Sequence, residues 1–327
     1  MKILVTGGAG FIGSSFVRML LQDRLPGLEG AAVTVLDALT YSGNPANLAP
    51  VAEHPHYAFV HGDIRDTGLL DRILPGHDAI VHCAAESHVD RSVRDSSVFV
   101  ETNVVGTQRL LDAALRHGIR RVVHVSTDEV YGSIETGSWD ERQPLEPNSP
   151  YAASKAGSDL LARSYHRTHG LDVRITRGSN TYGPYQFPEK LIPLFVTNLI
   201  DGESVPLYGD GRNVRDWLHV DDHCRALALV LTGGRPGEVY NIGGGHELTN
   251  RRLTELLLAA TGRDESAIEL VTDRKGHDLR YSVDTTKLAD ELGYAPQVPF
   301  EQGLAEVVEW YREHRSWWEP LKERVAL

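Results

Sequence analysis

The sequence predicts an α/β fold, a doubly wound parallel sheet carrying a second, smaller α/β lobe, and three observations predict it. Short β-branched apolar runs alternate with helix-period stretches through the first half of the 327 residues. A glycine-rich turn, Gly7-Gly8-Ala9-Gly10-Phe11-Ile12-Gly13, joins the first such run to the first helix. No repeat, low-complexity tract or long linker divides the chain.

Ile3 to Thr6 reads as a buried strand and Ser14 to about Leu21 as an apolar-periodic helix. Gly8, Gly10 and Gly13 satisfy GxGxxG; Gly7, Gly10 and Gly13 satisfy the looser GxxGxxG. Either spacing lets backbone N–H groups at a helix N-terminus approach a pyrophosphate. A dinucleotide is therefore expected against Gly7, Gly10, Phe11, Ile12 and Gly13, rather than a merely tight turn.

Ala32 to Leu36 is a second strand ending at Asp37, placed to accept hydrogen bonds from ribose hydroxyls. The following Ala38-Leu39-Thr40 include no Arg for a 2′-phosphate, so NAD is favoured over NADP. Tyr57 to Val60 is a third strand, after which Asp63 and Ile64 are candidates for the adenine amino group and ring. Asp63 also reads as a helix N-cap for residues 66–74, and the two roles are compatible. Asp78 to Ala85 is a fourth strand whose small Ala84 and Ala85 permit close approach of a cofactor, with Glu86 to Ser92 lining a cleft beyond it. Val98 to His117, apolar at 100, 104, 111 and 115, reads as one long helix stopping at Gly118.

Val122 to Val125 is a further strand, and it delivers Thr127, Asp128 and Glu129 to a strand's carboxyl end, where ligands bind in such sheets. Taken alone, adjacent acids are usually a solvated loop pair. At this place unlike surroundings can keep one protonated and the other ionised, which equips the site to move two protons. Ser149 or Pro150 starts a helix to about His169, on which Tyr151 and Lys155 are four apart and share a face. A lysine cation beside a phenol favours the phenolate, a base for a sugar hydroxyl.

Composition closes off other classes. With 33 Lys plus Arg against 45 Asp plus Glu, the net charge of −12 gives no general attraction for nucleic acid. Cys83 and Cys224 follow no metal spacing and read as buried fillers in a reducing compartment. The 15 histidines form no HExxH or His/Cys cluster, so no metal is expected. No apolar stretch approaches a membrane span, and Met1-Lys2 runs straight into the first strand, so a cytoplasmic protein without a signal peptide is expected.

The stretch TGGAGFIG, the Tyr151/Lys155 pair and the Ser126-Thr127 strand end resemble the extended short-chain dehydrogenase/reductase family, whose sheet is of Rossmann type. Within it, Thr127 to Gly132 and Ala84 to Ser92 are similar to the dTDP-glucose 4,6-dehydratases, as are Tyr182 to Pro193, Arg215-Asp216-Trp217, Tyr240 to Gly243, Gly276-His277-Asp278 and Arg280-Tyr281. Epimerases and decarboxylases of nucleotide sugars share the glycines and the Tyr/Lys pair but typically not both acids, so the pair discriminates. A silent NAD-sensing protein of the same fold is the alternative from another class.

The resemblance implies a tightly bound NAD regenerated at each turnover, and dTDP-glucose as substrate. Tyr151, assisted by Lys155, would take the 4-hydroxyl proton; Glu129 would remove the C5 hydrogen; Asp128 would protonate the departing 6-hydroxyl; Thr127 would bond the 4-oxygen. Asn180 and Lys190, with Leu191 beside it, would meet the sugar diphosphate, and Ser87 would bind the substrate. Pro206 and Tyr208 would stack on the base, and Arg215, Arg274, Asn250 and His277 would neutralise or bond the diphosphate. Thr181 stands where relatives often carry a second Asn. Residues 1–178 and about 214–243 are expected to form the NAD-binding domain, interleaved with a nucleotide-sugar-binding domain of about 179–213 and 244–327. A homodimer is expected through helices 98–117 and 151–169.

Overall fold

The protein is described by a computed structural model covering residues 1–274 and 276–325. Twelve strands appear among the described residues: β1 (Lys2–Thr6), β2 (Ala32–Asp37), β3 (Tyr57–His61), β4 (Ala79–His82), β5 (Arg121–Thr127), β6 (Val173–Gly178), β7 (Asn180–Tyr182), β8 (Val205–Tyr208), β9 (Val214–His219), β10 (Val239–Ile242), β11 (Glu247–Thr249) and β12 (Ile268–Val271). Seven form one parallel sheet in the order β10-β6-β5-β4-β1-β2-β3. The order reverses between β1 and β4, and the crevice beyond that reversal is where such sheets bind ligands.

Both faces are covered, which is why the strands read as unbroken apolar runs. Ile3 and Val5 pack under the helices Phe11–Leu21 and Val220–Gly233, while Leu4 faces the helices Thr67–Ile73, Thr107–Arg116 and Pro150–His169. The last of these starts as its sequence expects. Ser149 Oγ accepts from Ala152 N at 3.1 Å and Pro150 fills the first helical position, whose N–H would have no partner.

The helix expected over 98–117 is interrupted. Ser97–Phe99 leads into a wider π-type segment, Val100–Gly106, before Thr107–Arg116 resumes. The wide turn aims buried Asn103 inward, where its amide accepts from Glu86 N at 2.9 Å and donates to Glu86 O at 3.0 Å and Ser154 Oγ at 2.8 Å. It pins the loop after β4, and no periodicity in the sequence announces it. That strand also ends at His82 rather than Ala85: Ala84 leaves the sheet to lie against Gly7, where an added Cβ would stand 2.6 Å from its backbone.

The smaller lobe packs the helices Leu191–Asp201, Asn250–Thr261 and Phe300–Glu313 around Phe195, Leu253, Leu257, Val307 and Tyr311, beside the parallel pair β8 and β12. Trp318 is buried in that core, whereas Trp317 Nε1 reaches across to Asn47 Oδ1 at 3.0 Å. β9 pairs with β7 and β11 in a three-stranded sheet apart from the main one, and it touches both cores, Trp217 entering the smaller lobe's and Leu218 the large sheet's. β10 then returns to the large sheet alongside β6.

Candidate active site

The glycine turn is shaped by close approach. Gly7 has φ +66°, and a Cβ at Gly13 would meet Gly7 O at 2.3 Å. No side chain fits at either position, so the backbone is bare at the N-terminus of the helix Phe11–Leu21. Asp37 locks the turn in place: Oδ2 accepts from Ala9 N at 2.9 Å and Oδ1 from Leu39 N at 2.8 Å. Its carboxyl is nearly buried, and burial pushes its pKa above the usual range.

From this turn a cavity of about 310 Å³ runs across the carboxyl ends of β1, β2, β4 and β5. Gly7, Gly10, Phe11, Ile12, Gly13, Asp37, Ala38, Thr40, Asp63, Ile64, Ala84 and Ala85 all line it, with Tyr151 and Lys155 at its far end. Leu39 does not. Its side chain packs against the core below the sheet and its φ is +51°, so it serves the turn through its backbone. Asp63 is no helix cap; Asp66 takes that place, accepting from Leu69 N at 2.9 Å, and Asp63 is instead held by Arg65 at 2.7 Å. A bare glycine cradle at a helix N-terminus, with a fixed carboxylate at the end of β2, is the donor and acceptor set that NAD requires.

The reacting groups converge at the end of β5. Thr127 caps the short helical turn Asp128–Tyr131, its Oγ1 accepting from Glu129 N and donating to Asp128 Oδ1, each at 3.3 Å. Asp128 is 3% exposed and its Oδ2 has no partner among the described residues. Against the pull of Arg215, burial, then Glu129, then Asp216 push its pKa well above the usual range and so favour the protonated acid. Burial raises Glu129 too, but Arg215, Lys190 and Arg274 pull the other way. Burial raises both adjacent carboxyls, and they differ in degree: two carboxylates add to the rise at Asp128 against the single cation Arg215, whereas three cations oppose it at Glu129.

Tyr151 and Lys155 differ from expectation. Lys155 Nζ donates to Val125 O at 2.7 Å, and burial lowers its pKa to about 8. Burial and then the Glu129 carboxylate push the Tyr151 phenol well above its ordinary value. Both groups are desolvated, and desolvation disfavours each charged form, so the pair favours neutral phenol in this state.

A second cavity of about 190 Å³ lies in the smaller lobe and meets the first at Ser87, Glu129, Asn180, Glu189 and Lys190. Every substrate-side residue expected from sequence lines it except Thr127, which lines the first: Ser87, Glu129, Asn180, Lys190, Leu191, Pro206, Tyr208, Arg215, Asn250, Arg274 and His277. Lys190 Nζ bonds Ser87 O at 2.6 Å, bridging the lobes. Arg215 lies 4.2 Å over the Tyr281 ring and donates to Asp278 O at 3.0 Å; Arg274 lies 5.0 Å over Tyr208. Arg274 Nε, Asn180 Oδ1 and Asn250 Oδ1 are buried without protein partners among the described residues, the pattern of a site built for a polar ligand.

Sequence reasoning did not single out Glu189, Asp216 or His223. Glu189 and Asp216 lie inside stretches that resemble the family, which is the available signal; Asp216 is fixed by Gly244 N at 3.0 Å and His246 N at 2.8 Å and adds, after burial and Glu129, to the raised pKa of Asp128. His223 carried no signal, because a lone histidine on an apolar helix reads as core. Among the described residues no cluster of three or more His, Cys, Asp or Glu is placed to hold a metal, and no helix is long and apolar enough to cross a membrane.

Comparison with known proteins agrees in extent with this architecture. The dTDP-glucose 4,6-dehydratase of Streptomyces niveus is 63% identical over 322 residues, covering 98% of this chain and 96% of that protein. The enzyme of the same name from Streptomyces antibioticus is 64% identical, covering 100% of this chain and 97% of its own length. The crystal structure of DesIV, a dTDP-glucose 4,6-dehydratase from Streptomyces venezuelae with NAD and TYD bound, superposes with a TM-score of 0.97 at 69% identity, covering 98% of this chain and all of that one. The GDP-mannose 4,6 dehydratase family model matches residues 4–307, and the chain belongs to that family.

Proposed function

We propose that the protein is a dTDP-glucose 4,6-dehydratase that uses NAD and releases dTDP-4-keto-6-deoxyglucose, a step of deoxysugar biosynthesis. The observation that carries this reading is the pair of adjacent carboxyls at the β5 terminus: burial, then Glu129 and Asp216 raise the pKa of Asp128 well above its usual range, while Arg215, Lys190 and Arg274 oppose the rise at Glu129. An acid and a base one residue apart suit elimination of water from adjacent carbons. The likeness to the Streptomyces dehydratases, and to a structure solved with NAD, supports the same conclusion.

NAD, when bound, supplies a positive charge that favours the Tyr151 phenolate and a reversible acceptor that takes hydride from C4 and returns it to C6. Gly7, Gly10 and Gly13 leave room for its pyrophosphate, and Asp37 accepts from its ribose. Tyr151 receives the proton of the 4-hydroxyl, and Thr127 bonds that oxygen. The 4-ketone acidifies C5–H, Glu129 removes that hydrogen as a proton, and Asp128 gives its own proton to the leaving 6-hydroxyl, so water departs without a strong base or a free alkoxide. Arg215, Arg274, Lys190 and the Asn180 and Asn250 amides hold the diphosphate and sugar, and Tyr208 with Pro206 stacks on the base.

The lobes divide as residues 1–178 and about 214–243 for NAD against about 179–213 and 244–327 for the nucleotide sugar; the return of β10 to the large sheet supports that interleaving. Two copies pair through the helices near 98–117 and 150–169, where Val98, Val100, Val105 and Leu160 are exposed apolar side chains on the single chain. The free thiols Cys83 and Cys224 suit the reducing cytoplasm.

The test is incubation of purified protein with dTDP-glucose deuterated at C4. The expected product is the 4-keto-6-deoxy sugar with deuterium at C6 and no net reduced dinucleotide. A C4-epimerised hexose, or unchanged substrate, overturns the reading.

A further inference from the structure

The first cavity holds a polar group that the chemistry above does not use. His223, on the helix Val220–Gly233, is 2% exposed and lines the cavity at its catalytic end. It sits against Gly178, which pairs with Thr127 across β5 and β6; a Cβ at Gly178 would stand 2.7 Å from the imidazole Cε1. Its Nδ1 is 2.8 Å from Thr181 Oγ1. That hydroxyl donates its single hydrogen to Ser179 O at 3.1 Å, and a carbonyl can only accept. Toward the imidazole the Thr181 oxygen must therefore accept, which places a hydrogen on Nδ1 and a lone pair on Nε2. Burial lowers the His223 pKa to about 4, so the ring stays neutral. Nε2 has no hydrogen-bond partner among the described residues, and a buried acceptor left unpaired is destabilising.

A dinucleotide offers N–H donors at two places, the adenine amino group and the nicotinamide carboxamide. The adenosine end belongs to Asp37 and Asp63, across the cavity from Tyr151 and Lys155. We propose that His223 Nε2 accepts a hydrogen bond from the nicotinamide carboxamide N–H and so fixes the orientation of that group, with Thr181 setting the tautomer that makes this possible. Thr181 thereby acquires a role, that of holding the imidazole lone pair toward the cofactor. The inference rests on NAD as the cofactor.

The experiment compares NAD with its 3-acetylpyridine analogue, which replaces the carboxamide NH2 by a methyl group. Protein loaded with either is chased with excess unlabelled NAD, and the release rate of the bound dinucleotide is followed. One neutral hydrogen bond corresponds to roughly a five- to tenfold difference, so the wild type should release the analogue about that much faster. His223→Val, or His223→Leu with a volume nearer the imidazole, should release both at equal rates. In the wild type, the 15N signal of the His223 Nε2 should shift on loading with NAD and not with the analogue, a readout that needs no variant. Retention of the wild-type preference in the variants, or a Nε2 signal indifferent to the carboxamide, overturns the assignment. Failure of the wild type to retain either dinucleotide overturns the cofactor reading instead.

Discussion

Asp128→Asn separates the chemistry of this site from its architecture. Burial, Glu129 and Asp216 favour the protonated form of the wild-type side chain, so an amide of the same shape stands in for that neutral carboxyl. Thr127 Oγ1, which donates to Asp128 Oδ1 at 3.3 Å, keeps an acceptor in the variant. What disappears is the transferable proton. A positioned general acid contributes about 10²–10⁴ in rate, equivalent to roughly 3–5 kcal/mol of barrier. Single-turnover mixing with dTDP-glucose, read by reduced-nicotinamide absorbance and by quench analysis of the sugar, should show C4 oxidation proceeding while elimination slows by that factor and reduced dinucleotide accumulates. The folded pKa of Asp128 is raised, so the wild type loses folding free energy as pH rises from about 4 toward that folded value, and the variant does not. The variant should therefore melt no lower than the wild type, with the difference growing in its favour as pH rises. Elimination within about threefold of wild type, or a variant that melts well below it, refutes the reasoning.

Other expectations follow from single observations. Arg177→Met should lower stability by about 3–5 kcal/mol in urea unfolding, because Arg177 and Asp159 are both fully buried, bonded at 2.8 and 3.0 Å, and truncation strands the carboxylate. Since Arg177 also donates to the Tyr131 hydroxyl at 2.7 Å, in the same turn as Asp128 and Glu129, activity should fall with it; a variant of wild-type stability would contradict this. The rate of C4 oxidation should decline above about pH 8, where buried Lys155 loses the positive charge that it carries at lower pH; an alkaline limb appearing only near pH 10 counts against that role. Gly7→Ala should purify without NAD and lose at least about 1–2 kcal/mol, from a positive φ and a Cβ 2.6 Å from Ala84 backbone; a variant that retains the dinucleotide excludes the proposed cradle.

Much of the sheet was legible because its signals are local. β1, β2, β3 and β5 are short β-branched runs, and their ends at Thr6, Asp37, His61 and Thr127 fall within two residues of the apolar boundary. The Ser149-Pro150 helix start carried its own capping chemistry. Where a non-local contact decides, the local signals point elsewhere. The π-type segment Val100–Gly106 exists because Asn103 bonds Glu86 and Ser154, one earlier and one later in the chain. β4 stops at His82 because Gly7 needs Ala84 close. Lys155 turns to the Val125 carbonyl, a partner that i, i+4 spacing on a helix does not report.

By itself the sequence determined which residues are present to do chemistry and on which strand ends they fall, since the apolar period, the glycine spacing and the neighbouring acids are properties of consecutive residues. Only the tertiary structure decided their states. Burial, then Glu129, then Asp216 arriving from β9 raise the pKa of Asp128, and Glu129 faces cations because Lys190, Arg215 and Arg274 come from three separate segments of the chain. Protonation follows from the burial and charges that surround a group in space, and chain proximity sets neither.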